Sequence, residues 1–192
     1  MNRRNSSSAR PAVAGPWVLD TRDLGRRPGA SKHYQRTAPA SETFGFEPVV
    51  MVPAGTEITF DVLLESVVEG VLVSGSAGVA TAGECSRCLD PITGSVEVEF
   101  SELYAYPDSV TEETTDSDEV FRLVDDLIDL EPVVRDAIVF ELPQAPLCSP
   151  DCLGLCPGCG GRRAELGPNH EHETIDARWA ALQDRFGGDQ ES

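Results

Sequence analysis

Positive charge is what this chain has least of. It carries 15 lysines and arginines against 33 aspartates and glutamates, a formal net charge of −18. Nucleic-acid affinity rests largely on Lys and Arg displacing counterions from phosphates. Tight binding to naked RNA or DNA is therefore not expected. Histidine is also scarce, with three in 192 residues. No Gly-rich phosphate loop opens a helix, and neither a nucleophile elbow nor a zinc-hydrolase histidine pair occurs. The carboxylates crowd into a stretch that reads as a solvated loop, where unshifted acids suit general acid–base work poorly. The expectation is that the protein is not an enzyme. No apolar run is long enough to span a bilayer. The charged opening residues are not followed by the apolar core of a signal peptide. The expected location is cytoplasmic, where thiols stay reduced and clustered cysteines indicate metal or redox chemistry instead of disulfides.

Cysteine is present in one dense patch. Four of the six lie within twelve residues, at Cys148, Cys152, Cys156 and Cys159. The loops between them are rich in Gly and Pro and offer no core for free thiols to fill. Thiolates at this density favour zinc, which takes a closed tetrahedral shell of S and N ligands in structural sites. Cys156-Pro157-Gly158-Cys159, with Gly160 behind it, has the form of a zinc knuckle, whose glycines permit the left-handed turn that aims both sulfurs at one point. The expected cofactor is a structural Zn2+ contributing folding free energy on the order of 10–16 kcal/mol. Cys85-x-x-Cys88 has three readings. It is a second knuckle joining Cys156 and Cys159, a redox pair cycling through a disulfide, or a pair of structural thiols at a hairpin tip. The redox reading lacks a surrounding βαβ pattern. His170 and His172 would complete a shell, and six cysteines with these two would supply two tetrahedral sites. The alternative is that both are surface histidines of a polar loop.

Taken in order, residues 1–15 read as a disordered basic arm and 187–192 as a fraying tail. Trp17-Val18-Leu19 suits a short strand, residues 30–42 read as loop, and Val49–Val52 as a strand before the turn Pro53-Ala54-Gly55. Ile58 to Glu65 alternates with the period of two of a half-buried strand. Val67–Gly75 and a weaker Gly75–Ala82 stretch follow. Cys85–Cys88 is expected at a hairpin tip, since Val96–Phe100 alternates again beyond it and Leu103–Tyr106 extends that strand. Val120–Val124 reads as a last strand. A helix is expected to begin near Asp129, with Pro132 in its first turn, and to end before Pro143. A final helix is expected from Asp176, with Trp179, Leu182 and Phe186 on one side. The fold class is α+β: an antiparallel β-sheet, curled or half-barrel, with a C-terminal helix, a Cys-rich zinc-binding loop and a final short helix. The domain reading is a sheet domain over 16–142, with an acidic loop at 107–119, then a Cys-rich segment and terminal helix over 143–186. Charge is uneven along it. Residues 1–36 hold eight basic and two acidic residues, and 102–131 hold eleven acidic residues against Arg122. A basic arm and an acidic belt suit different partners, or simply solubility.

The order of motifs is similar to that of a known family. Cys85-Ser86-Arg87-Cys88-Leu89 stands before a strand, and an acidic loop follows. Asp-Leu-Ile-Asp-Leu-Glu-Pro opens a helix at 126–132, and Leu142-Pro143 closes it. The cysteine pattern occupies 146–160, and Asp-x-Arg-Trp-Ala-x-Leu occupies 176–182. Over residues 17–186 this resembles the YceD family, named for accumulation of the large ribosomal RNA subunit. The resemblance implies a non-enzymatic factor in 23S rRNA accumulation and large-subunit biogenesis, with no catalytic residues to carry over. Members with the full C-terminal cluster often have a further Cys-x-Cys, whose place here is taken by His170-Glu171-His172. The partner implied is a ribosomal protein or the pre-ribosomal large subunit, held by electrostatic complementarity to the acidic belt, with RNA contact weak or indirect. A zinc-ribbon nucleic-acid-binding module, hinted at by Arg162-Arg163, is the alternative function, and a thiol–disulfide protein using Cys85 and Cys88 is the third.

Overall fold

A computed structural model describes residues 15–107, 109–110 and 120–172. Nine strands and one helix occur there: β1 (Val18–Asp20), β2 (Ser31–Pro39), β3 (Phe44–Phe46), β4 (Val50–Val52), β5 (Glu57–Ser66), β6 (Gly70–Glu84), β7 (Pro91–Ala105), β8 (Phe121–Arg122), β9 (Leu127–Asp129) and α1 (Glu131–Glu141). The expected basic arm, the final helix from Asp176 and the tail lie outside the described residues, as does nearly all of the acidic loop.

The sheet is built around β6. One of its edges pairs along its whole length with β7, from Gly70↔Ala105 to Glu84↔Pro91. The other edge is shared, by β5 over Val71–Val79 and then by β4 at Ala82 and Gly83. β2 extends the sheet beyond β5, β3 lies beyond β4, and β8 adds to β7 in parallel. The two stretches expected as separate strands across 67–82 are thus one strand, because Gly75 and Gly78 continue the pairing instead of turning it. Among the described residues the strand order is open, so this is a mostly antiparallel sheet and not a closed barrel.

Residues 30–42 are not loop; most of them form β2. Its inward positions are Lys32, Tyr34, Arg36 and Ala38, so no apolar alternation marks it. The cations flank the Tyr34 ring at 5.0 and 5.1 Å, and the Tyr34 hydroxyl donates to the Asp20 carbonyl at 2.9 Å. Charged side chains on an edge strand also discourage sheet-to-sheet pairing with another chain.

One face of the sheet is covered. β1 and β9 form a two-stranded ribbon, Val18↔Asp129 to Asp20↔Leu127, that lies with α1 over β5, β6 and β7. Leu19, Ile128, Leu130, Val134 and Ile138 share one core there with Ile58, Val62, Leu64, Val71 and Val73, all fully buried. Each such side chain contributes about 1.5–3 kcal/mol. Trp17 stacks on Phe60, ring centroids 5.1 Å apart. β9 was hidden in the run-up to the helix; it is set by a two-residue turn in which Asp125 and Asp126 both take positive φ, a conformation that a short polar side chain tolerates. α1 starts one residue later than expected. Leu130 is its N-cap, and the Asp129 carboxylate accepts from the Glu131 N–H at 3.1 Å. The helix stops at Glu141, before Pro143 as expected.

Candidate metal centre

The hairpin between β6 and β7 and the segment after α1 converge at one end of the sheet. The tip is held by Cys85 N–H donating to the Asp90 carbonyl at 2.8 Å and Leu89 N–H to that of Cys85 at 2.9 Å. Leu89 takes a positive φ of 61° to close the turn. The later segment is tied to this tip by backbone bonds: Ser86 N–H to Pro146 O at 2.8 Å and Leu155 N–H to Arg87 O at 3.0 Å. The Arg87 guanidinium donates to the Cys152 carbonyl at 2.9 Å. Gly154 makes the approach possible. Its φ is +73°, and a Cβ there would stand 2.8 Å from the Arg87 carbonyl oxygen.

Two groups of four candidate ligands result. Cys85, Cys88, Cys148 and Cys152 form one; Cys156, Cys159, His170 and His172 form the other, and within each group one ligand atom per residue lies within 4.8 Å of the rest. Either group could hold a metal ion. The spacings test the fit. A tetrahedral ion with S at about 2.3 Å requires S···S edges near 3.8 Å and, with N at about 2.0–2.1 Å, S···N edges near 3.5 Å. Cys85–Cys152 is 3.7 Å, Cys88–Cys148 is 3.6 Å and Cys159 Sγ–His170 Nε2 is 3.5 Å. The His170–His172 Nε2 separation, 2.8 Å, is tighter than the roughly 3.3 Å edge such an ion needs.

In the second group, the chain from Cys156 to Gly161 makes a tight turn. Cys156 N–H donates to Gly161 O at 2.7 Å and Gly160 N–H to Cys156 O at 2.8 Å. Gly160, at φ +71°, supplies the left-handed turn. Gly158 lies against His172, whose ring a Cβ would meet at 2.6 Å.

Local hydrogen bonds and burial shift the thiols in opposite directions. The Cys148 backbone N–H, ahead of those of Arg87 and Cys88, holds the Cys85 thiol down to about 6. The Asp90 N–H pulls Cys88 the same way, but burial and the thiols of Cys85, Cys148 and Cys152 outweigh it and push it up to about 12. The Cys152 thiol raises Cys148, and the Gly158 and Cys159 N–H groups lower Cys156. Gathering four thiolates is opposed by their mutual repulsion, which a dication removes. Beside them Arg162 pairs with Asp90 and holds its carboxyl below the ordinary value.

The structure therefore divides the sequence cluster. Cys148 and Cys152 stand with Cys85 and Cys88 at the hairpin tip, where those two were expected, while Cys156 and Cys159 stand with the histidines. Cys85 and Cys88 do not join Cys156 and Cys159. Nothing in the spacing of 148–159 identifies that division; it depends on which end of the hairpin the segment reaches.

The sequence itself shows kinship. Residues 73–184, which hold both groups, match the family described as large ribosomal RNA subunit accumulation protein YceD. The chain belongs to the YceD family. It is 47% identical to an uncharacterized protein of Mycobacterium tuberculosis over 97% of this chain and 89% of that one. An uncharacterized protein of Mycobacterium leprae is 42% identical, over 98% of this chain and 86% of its own. The uncharacterized protein YlbN of Bacillus subtilis is 26% identical over 83% of this chain and 97% of its own. No solved structure matches. This YceD member has no helix among the described residues that is long and apolar enough to cross a membrane.

Proposed function

We propose that the protein is a non-catalytic, zinc-stabilised cytoplasmic factor that supports 23S rRNA accumulation and large-subunit biogenesis by holding a basic ribosomal protein or a basic patch of the pre-ribosome. Family membership carries the biological half of this reading. The carrying observation for the mode of binding is the face of the sheet that no described residue covers. There Ser76 and Gly78 of β6 form a floor of small residues between Asp61 of β5 and Glu99 and Glu97 of β7. Such a face suits arginine and lysine side chains and repels bare phosphate.

The zinc-ribbon alternative needs a basic surface around the cysteines. Arg87 is bound to the Cys152 carbonyl and Arg162 to Asp90, which supports the acidic reading over it. A redox role for Cys85 and Cys88 needs an accessible thiolate, and Cys85 is fully buried.

The test is capture from cell extract on the immobilised protein, with ribosomal proteins and rRNA read separately. Wild type is expected to retain large-subunit proteins, and a Glu97→Lys/Glu99→Lys variant to lose them at least tenfold. Depleting the protein in cells is expected to lower the ratio of 23S to 16S rRNA. Tight, salt-resistant binding of naked RNA by the purified protein would overturn the reading.

A further inference from the structure

We infer that the chain holds two zinc ions in chemically different shells, and that only one of them belongs to the fold of the sheet. The inference rests on the zinc reading above and divides it. The first shell is all thiolate: Cys85 and Cys88 from the hairpin tip, Cys148 and Cys152 from the segment after α1. The second takes two thiolates and two imidazoles: Cys156, Cys159, His170 and His172.

Charge separates the two. Four thiolates around a dication leave two negative charges, whereas two thiolates and two neutral imidazoles leave none. Arg87 donates to the carbonyl of Cys152 within the first group, and Arg162 pairs with Asp90, two residues from Cys88. Two knuckles sharing one ion would bring Cys85 and Cys88 to Cys156 and Cys159, and the structure pairs each with different partners.

Topology separates them too. The first shell joins residues 60 positions apart, Cys88 and Cys148, and so closes the loop that contains β7, β8, β9 and α1. Clamping a loop that long removes much chain entropy from the unfolded state. The second shell closes within residues 156–172, and none of its four ligands is a residue of a strand. Emptying the second leaves the sheet as it was; emptying the first loosens the hairpin tip from everything after α1.

The experiment uses the full chain loaded with Zn2+ for elemental analysis and native mass spectrometry, and with Co2+ for absorption. Thiolate-to-cobalt charge transfer scales with the number of sulfurs bound. Wild type is expected to hold two ions. Cys156→Ser/Cys159→Ser should hold one, with about two-thirds of the charge-transfer intensity, and its sheet should melt at the wild-type temperature. Cys85→Ser/Cys88→Ser should hold one, with about one-third. If that variant does not fold, His170→Ala/His172→Ala decides alone: it should keep one ion in a four-sulfur environment. Wild type with one ion, or a histidine variant whose remaining ion has fewer than four sulfurs, overturns the division and leaves the zinc reading standing. Wild type with no ion overturns both.

Discussion

Gly154→Ala tests whether the hairpin tip and the later cysteine segment are held together by backbone approach. Two costs act at this position. An L-residue at φ +73° is strained by about 1–2 kcal/mol. The new methyl would also meet the Arg87 carbonyl oxygen at 2.8 Å, Arg87 Cβ at 3.1 Å and Arg87 C at 3.3 Å, so the backbone has to move. Moving it endangers the Leu155 N–H to Arg87 O bond and the Arg163 N–H to Gly154 O bond, each 3.0 Å long and each worth about 0.5–1.5 kcal/mol. Together the loss is about 2–5 kcal/mol, or on the order of 5–20 °C in melting temperature. Gly55→Ala is the control, since Gly55 has φ +80° with nothing within 4 Å of its Cβ position and incurs strain alone. Circular dichroism melts of both variants, with zinc release to a chromogenic chelator timed alongside, provide the comparison. Gly154→Ala should melt lower than Gly55→Ala and release metal at least several-fold faster. Equal melting temperatures and equal release rates would refute the argument that Gly154 is required for closeness and not merely for its turn.

Three further outcomes are expected. Tyr104→Phe should cost about 1–3 kcal/mol in urea denaturation, because its hydroxyl donates to the Asp129 carbonyl at 2.7 Å in a buried setting. Burial also pushes the Tyr104 phenol well above its usual 10. The native state therefore holds that proton more tightly than the unfolded chain. The contribution is full below pH 10 and is lost as pH climbs beyond it, so the alkaline fall in stability should be shallower in the Phe variant. Phe60→Ala should lose about 3–5 kcal/mol and red-shift Trp17 emission, read in a Trp179→Phe background, since the stacked ring is gone. Arg162→Ala should change stability by no more than about 1 kcal/mol, because its pair with Asp90 is partly exposed to solvent; a loss above that would show the pair to support the candidate metal centre.

The strands with one apolar face were legible because burial writes itself into the sequence at a period of two. Ile58, Phe60, Val62 and Leu64 of β5 and Val96 and Val98 of β7 are the inward residues. The edge strand β2 was not legible, since its inward positions are filled by long cationic stems around Tyr34. Strand β6 reads as two pieces in the sequence, because Gly75 and Gly78 look like punctuation. At Gly75 an added Cβ would stand 2.2 Å from the Asp61 carbonyl, so glycine there serves close packing, not a turn. For the metal centre, which residue types mattered could be seen in the chain, and their division could not. Ligand spacing of three or four residues describes half a group, and for Cys148 and Cys152 the other half is chosen by where the hairpin tip comes to rest.

The first shell takes its two halves from opposite sides of most of the fold, and ribosomes deliver them at different times. Cys85 and Cys88 emerge with about sixty residues still to be made before Cys148. A nascent or truncated chain that stops anywhere in that interval presents two thiols and no way to satisfy an ion's preference for four ligands. On the two-ion proposal, capture of an ion at the hairpin requires that translation has passed the helix, and a chain ended earlier carries Cys85 and Cys88 without Cys148 and Cys152.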